Sequence, residues 1–513
     1  MPRPIPLASP PRRLPLRLGL TLAVLCGALA APAAAWAARG ASADAAAVLP
    51  APVRAALARA GVPADAVAIE VAPLPATASA PTAPRLAWRV DAAMNPASVM
   101  KLVTTYAALD LLGPDYTWTN RVELLGPLQG GVLQGDLLLR GSGDPKLVLE
   151  RLDALLRAVV AAGVREVRGD IVLDGRVFEL PERDPAAFDA EPLRPYNATP
   201  DGLLVNFKSL LYTFAPDPAA GVARVRFEPP IAGVAIPDRV PLAAGPCADW
   251  RASLGADFSD PTQVRFAGSY PAACGERTWP VAYAAPAQFA PRVVQALWAQ
   301  AGGVLVGRVR WAAPDDMRRG RELLAAPSLP LGEVVADINK FSNNVMAQQV
   351  FLTLSAVERL RGTFAASRER VQRWWRSRFG TAPLVLDNGS GLSREERTSA
   401  AALTQLLHEA ASGPLAAPFT GSLGVAGVDG TVARLRERAP DSPVIGRAWL
   451  KTGSLRDVAS IAGYVEGESG RRYSVVALIN HPNAGAARPA LDAVLDWTAR
   501  DLPRASAAHA PSR

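Results

Sequence analysis

The sequence predicts an α/β protein, an antiparallel sheet with helices interrupted by a long β-rich insertion. Three observations predict it. Apolar residues recur at helical spacing up to about residue 112 and again from 291 onward. Between 121 and 290, short alternating or β-rich segments prevail, separated by Gly, Pro and Asp. Near the end, three strand-like segments precede a closing helix and are placed to pair as one antiparallel sheet. With 513 residues, 50% hydrophobic and 20% charged, the chain has room for two to four domains and is too apolar for global disorder.

The first element is a leader. Arg3, Arg12, Arg13 and Arg17 flank an apolar stretch over 18–31, and Ala33, Ala35 and Ala37 offer a small-residue cleavage site, so residues 1–37 read as a secretory signal peptide. The stretch is short for a membrane span, and no other run approaches the ~18 apolar residues a crossing needs. These four arginines account for half of the +8 net charge. No basic block interleaved with aromatics remains, which argues against nucleic acid as a partner. Cys26 leaves with the leader. Cys247 and Cys274 fit either a disulfide in an oxidising compartment, contributing about 3 to 4 kcal/mol in the chain-entropy model, or two buried free thiols. The 3 histidines, His408, His481 and His509, leave little material for an imidazole zinc site or a Ser-His-Asp triad.

The spacing then predicts a helix over 48–60, strands over 67–71 and 86–90, and a mostly buried helix from Ser98 to the Gly113-Pro114 stop. In the β-rich stretch only 147–162 has convincing helical periodicity. Helices follow at 291–301, 335–353, 363–379 and 400–411, then strands at 447–452, 460–466 and 472–479, a helix at 487–498, and a loose tail beyond Leu502.

Three short patterns carry chemistry. Ser98-x-x-Lys101 sits at a helix start, where the serine N–H has no intrahelical partner and is free to hold an oxyanion, and the lysine one turn on lies on the same face. A desolvated lysine near another cation loses its proton readily and serves as general base. Ser342-Asn343-Asn344 supplies a hydroxyl for proton relay and an amide for a substrate carbonyl. Lys451-Thr452-Gly453-Ser454 lies on a strand edge. It offers a cation, a hydroxyl, a glycine permitting close backbone approach, and the Ser454 N–H as second oxyanion donor. Each alone is commonly a capping or surface turn; together and in this order they are a strong signal.

With these motifs, the chain resembles the D-alanyl-D-alanine carboxypeptidase/endopeptidase family, the class C low-molecular-mass penicillin-binding proteins. The long separation of Ser98 from Ser342 and the segments GSGDPKL (141–147), YNATPDGLLVNF (196–207), DINKFSNNVMAQQV (337–350), DNGSGLSR (387–394) and KTGSL (451–455) carry the likeness, which runs from about 48 to 498. The resemblance implies a penicillin-binding/serine β-lactamase-like transpeptidase fold. It divides the chain into a signal peptide (1–37), a catalytic domain first part (38–116), an inserted domain II (117–204, returning through 286–300), an inserted domain III (205–285), a catalytic domain second part (301–502) and a tail (503–513).

The same resemblance implies roles. Ser98 is the nucleophile and Lys101 its base. Ser342 and Lys451 pass a proton to the leaving D-alanine, Asn344 holds the peptide, and Thr452 binds the terminal carboxylate. Arg394 pairs with the carboxylate of a diaminopimelate side chain, with Glu191 as the best match for the acidic partner of its amine and Asp189 as the runner-up. No cofactor or metal is implied. The partners are peptidoglycan stem peptides ending in D-Ala-D-Ala and their cross-links, with β-lactams as inhibitors, in the periplasm and possibly peripheral to membrane or wall; the oligomeric state stays open. One departure is Gln348, where the family usually has glutamate. A serine β-lactamase-like hydrolase and a catalytically impaired peptidoglycan-binding relative are the alternatives.

Overall fold

The computed structural model describes residues 48–75, 83–313, 316 and 318–502. The expected leader and the tail from 503 onward lie outside the described residues. The core is a six-stranded antiparallel sheet, built from β1 (Val67–Pro73), β2 (Leu86–Trp88), β3 (Gly424–Val425), β4 (Ala448–Leu455), β5 (Val458–Glu466) and β6 (Arg472–Asn480) in the order β2-β1-β6-β5-β4-β3. The register is continuous from Val67 opposite Ile479 to Leu455 opposite Val458.

Both faces of this sheet are covered, which is why its strands are apolar at successive positions. On one face Ile69, Val475, Ala477, Ile461 and Leu450 pack against helices α1 (Ala51–Arg59) and, at the far end of the chain, Arg488–Ala499. On the other, Ala68, Val476, Leu478, Ala462 and Tyr464 meet α2 (Lys101–Leu112), α3 (Leu331–Phe341), α4 (Asn344–Arg359), α5 (Phe364–Phe379) and α6 (Ala400–Ser412). Helix α2 lies in the middle of that layer and is buried from Lys101 through Leu109. Thr363 and Ser399 cap α5 and α6, each hydroxyl accepting a backbone N–H of the first turn.

The insertion leaves after α2 and contains two further five-stranded sheets. The first places Val309–Trp311, Ile171–Asp174, Asp136–Arg140, Thr119–Leu125 and Arg321–Pro327 side by side in that order, with helices Leu149–Ala161 and Pro286–Gln300 burying their apolar faces in the same core. The second is formed by Ser209–Asp217, Val222–Glu228, Arg239–Ala243, Tyr270–Pro271 and Arg277–Ala282. Beside it the sulfurs of Cys247 and Cys274 stand at bonding distance, 2.05 Å.

One expected boundary moves. The sequence reading resumed the catalytic part at 301, but Val309 pairs with Ile171 and Leu324 with Val122. The strands up to Pro327 therefore belong to the insertion, and the core resumes with α3 at Leu331. Val309–Trp311 is short and Arg321–Pro327 has no buried position, so both become legible only through distant partners. The exit and return are clasped together: Leu331 N–H donates to Tyr116 O at 2.8 Å and Gly332 N–H to Pro114 O at 2.8 Å.

Candidate active site

Ser98 occupies a 3-10 turn, Ala97–Met100, leading into α2. Ahead of it Ala97 takes a left-handed φ of 46°, a conformation an alanine adopts only under outside constraint. Asn95 supplies the constraint: its Oδ1 accepts the Ala97 N–H at 2.8 Å, while its own backbone is bonded in both directions to the Asn480 amide at the end of β6. The Ser98 turn is thus fixed to the sheet.

Lys101 is fully buried one turn on. Its Nζ donates to Ser98 Oγ at 2.9 Å, to Asn344 Oδ1 at 2.6 Å and, over a short contact, to the carbonyl of Ser390. Burial, followed by the nearby Lys451 charge, pushes the Lys101 ammonium well below the usual lysine range, while Glu396 opposes the shift. A lysine so placed is able to take the Ser98 proton.

The region expected as one helix over 335–353 is broken at Ser342, with φ 59° and ψ 33°. Asn343 restarts it by capping α4, its side chain accepting the Met346 N–H at 3.1 Å. The break directs Ser342 Oγ to Lys451 Nζ, 2.8 Å away. Lys451 is itself fully buried, and burial lowers its pKa to about 7. Asn344 faces two ways: its Oδ1 receives Lys101, and its Nδ2 donates to Tyr196 O in the insertion at 3.0 Å.

Gly453 brings β4 against the Ser98 turn. A Cβ at this position would stand 2.3 Å from Ser460 Oγ, 2.7 Å from Pro96 O and 2.9 Å from Ser98 N, so only glycine lets this strand edge approach the serine. Thr452 Oγ1 lies 2.7 Å from Thr431 Oγ1, and Ser454 Oγ accepts from Arg488 at 3.1 Å. The geometry therefore gathers Ser98, Lys101, Ser342, Asn344, Lys451 and Gly453 into one site, with Thr452 and Ser454 continuing along the strand edge.

The model of the D-Ala-D-Ala carboxypeptidase 3 (S13) family matches residues 51–501. The chain belongs to this family. It is 32% identical over 446 residues to a D-alanyl-D-alanine carboxypeptidase of Actinomadura sp. (strain R39), covering 81% of this chain and 78% of that protein. It is 25% identical over 403 residues to D-alanyl-D-alanine carboxypeptidase DacB of Haemophilus influenzae, covering 76% and 81%. The fold is that of penicillin binding protein 4 (dacB) from Haemophilus influenzae, with a TM-score of 0.68 at 21% identity over 86% of this chain and 99% of that one. A predatory endopeptidase of Bdellovibrio bacteriovorus shares it at a TM-score of 0.51, with 15% identity over 84% of this chain and 93% of that one.

In this S13 chain the expected side-chain pocket is only partly assembled. Arg394 lies with its guanidinium 5.0 Å from the Phe188 ring centroid and 3.7 Å from Asp457. Asp189, next to Phe188, accepts from Tyr196 OH at 2.9 Å and Asn197 Nδ2 at 2.8 Å. Glu191 instead pairs with Arg194 at 3.3 Å. Asp189 is thus tied to Tyr196, the residue whose carbonyl meets Asn344, and its chain neighbour Phe188 packs on Arg394.

Sequence reasoning missed three groups at this site. Ser390 lies in the quoted DNGSGLSR segment but acts through its backbone carbonyl, which no side-chain pattern reveals. Thr431 meets Thr452 from a 3-10 turn, Gly430–Val432. Glu396 is a fully buried carboxyl two residues beyond the same segment. Gln348, the departure, is buried on α4 and donates weakly to Ser390 Oγ at 3.4 Å. No helix among the described residues is long and apolar enough to cross a membrane.

Proposed function

We propose that this chain is a serine-type D-Ala-D-Ala carboxypeptidase that also cleaves peptidoglycan cross-links as a DD-endopeptidase, through an acyl-enzyme on Ser98. The observation that carries the reading is the 2.9 Å contact between Ser98 Oγ and the buried Lys101 Nζ, with Ser342 and Lys451 in a second serine-lysine contact beside it.

Lys101, whose ammonium is destabilised by burial and by the Lys451 charge, accepts the Ser98 proton in its neutral form, reversing donor and acceptor in their contact, as Oγ attacks the carbonyl of the penultimate D-Ala. The oxyanion lies between the N–H groups of Ser98 and Ser454, each worth about 3 kcal/mol when preorganised. Collapse of the tetrahedral intermediate breaks the peptide bond. Ser342 relays a proton from the Lys451 side to the departing amine, and a lysine with a pKa near 7 exchanges that proton readily at neutral pH. Asn344 positions the acyl peptide and Thr452 the terminal carboxylate. Water then releases the acyl group. When the leaving amine belongs to another stem peptide, the same steps open a cross-link. Arg394 and Asp189 are suited to the carboxylate and amine of a diaminopimelate side chain.

A β-lactam presents a cyclic amide to Ser98, and its tethered leaving group stays near the acyl bond, which makes deacylation slow. The arginine-flanked leader and the paired cysteines support an exported enzyme in the periplasm, with the leader removed. Intact mass after benzylpenicillin treatment tests the proposal: a stoichiometric adduct on the wild type and none on Ser98→Ala is expected. No adduct on the wild type, or equal adducts on both, overturns it, and rapid penicillin turnover would favour a β-lactamase.

A further inference from the structure

Glu396 is fully buried, yet no step above uses it. Its Oε1 accepts three backbone N–H groups, from Asp387 at 3.2 Å, Asn388 at 3.1 Å and Gly389 at 2.8 Å. Its Oε2 is buried without a hydrogen-bond partner among the described residues. A carboxyl in this setting is costly to bury, and three converging donors on one oxygen show that the surrounding loop is built around it.

That loop reaches the catalytic residues twice. Just beyond the three donors, the Ser390 carbonyl accepts from Lys101. Gly391, with φ 80°, packs so closely on the nucleophile turn that a Cβ would stand 2.0 Å from Ala97 O and 2.6 Å from Ser98 N. The loop is further fixed by Thr104 of α2, whose hydroxyl donates to Gly389 O at 2.6 Å, and by Asn388, which accepts from the Ser390 hydroxyl at 2.6 Å.

The charges around it are unequal. From α2, Lys101 faces the loop, with Lys451 of β4 acting on it as a second cation. From α5, Arg368 lies 3.8 Å from Asp387 and donates to its carbonyl. From α4 the group facing Ser390 is the neutral amide of Gln348. When Ser98 gives up its proton, Lys101 becomes an ammonium buried beside another lysine. Such a charge needs a nearby anion. The loop wrapped around Glu396 is the one that touches Lys101 through Ser390 O, and the Glu396 carboxyl, pushed up to about 7 by burial, carries its charge from neutral pH upward.

We propose that Glu396 is a positioning residue for Lys101, holding the 387–391 loop against Lys101 and Ser98 and supplying the negative charge that steadies the Lys101 ammonium during acylation. Gln348 fits this arrangement, since an amide donates to Ser390 Oγ and adds no second anion. The inference rests on Lys101 as the base of the proposed reaction. The proton moves from Ser98 Oγ to Lys101 Nζ as the Oγ–C bond forms, and Glu396 exchanges no atom with substrate.

The test is the pH dependence of benzylpenicillin acylation in wild type, Glu396→Gln and Glu396→Asp, with Ser98→Ala as control. Glu396→Gln keeps an acceptor oxygen for the loop and removes the charge. Expected are a plateau rate about tenfold lower and an acidic limb displaced to lower pH by about half a unit or more, because a lysine without its anion loses its proton earlier. Glu396→Asp, which keeps a charge, should leave the limb near the wild-type position. A merely structural role would lower the rate without moving the limb, so coincident limbs for Glu396→Gln and wild type overturn the inference while leaving acylation at Ser98 intact. If wild type shows no Ser98-dependent acylation, the base assignment falls and the inference with it. Should Glu396→Gln not fold, the infrared carboxyl bands of 13C-glutamate-labelled wild type titrated against pH replace it. A buried glutamate that ionises within the pH range of rapid acylation is expected, and one that stays protonated across that range overturns the proposal.

Discussion

Lys101 Nζ and Asn344 Oδ1 stand 2.6 Å apart, although one residue precedes the insertion and the other follows it. The other end of the Asn344 amide reaches the insertion itself at Tyr196 O. One side chain thus joins Lys101, the helix that follows the insertion, and the inserted module.

Replacing Asn344 by alanine should therefore cost more than a peptide contact. Hydrogen bonds to charged groups are worth about 1.5 to 3 kcal/mol, so Asn344→Ala should slow acylation about tenfold to a hundredfold, and the loss of the Tyr196 contact should lower the melting temperature as well. Stopped-flow acylation together with thermal unfolding checks both.

Gly453→Ala should disable acylation by forcing β4 away from the nucleophile turn. Removing the nearest obstacle, in Gly453→Ala/Ser460→Ala, should not restore the rate, because Pro96 O at 2.7 Å and Ser98 N at 2.9 Å still oppose the methyl group. Recovery in the double variant would show that the hydroxyl alone was at fault.

The two buried groups shifted to about 7 predict opposite pH effects on stability. Glu396 is protonated in the folded state up to about pH 7 while its unfolded counterpart has ionised, so its contribution falls as pH rises from about 4.5 to 7. Lys451 is neutral in the folded state above about 7 while the unfolded lysine stays protonated to about 10.5, so stability rises over that window. Urea unfolding against pH should show Glu396→Gln flattening the acid window and Lys451→Met the alkaline one.

Arg394→Ala and Asp189→Asn should lower kcat/KM on stem peptides containing diaminopimelate about tenfold or more, by loss of a charge-assisted contact, while benzylpenicillin acylates both variants at the wild-type rate. Peptide hydrolysis and penicillin acylation measured on the same preparations decide it. Equal loss in both assays would place these residues in support of the fold.

Much of the core was legible because its signals are local. Ser98 and Lys101 share one helix turn, the stop after Leu112 is written as Gly113-Pro114, and β5 and β6 are dense in Val, Ile and Ala because both faces of their sheet are buried. What was not legible depends on distant partners. Val309–Trp311 is too short to announce itself without Ile171 opposite, and Arg321–Pro327, though seven residues long, has no buried position to mark it without Val122. The left-handed turn at Ser342 leaves no mark in a serine. Glu396, standing in an Arg-Glu-Glu-Arg string, looks like a solvated surface residue and becomes a buried carboxyl only when the loop wraps its backbone N–H groups around it.

The sheet's neighbour order sets a schedule on synthesis. Strand β1 lies against β6, Val67 opposite Ile479, and Lys451 enters from a strand that pairs only with late segments. A chain still being made has Ser98 and Lys101 but no platform beneath them, whereas the inserted module, complete by Pro327 and clasped at its root, has all its own strands much earlier. A bond-cutting enzyme built in this order stays inert until its last strand is in place, and a truncated product ending before β6 would be harmless to the polymer it is made to cut.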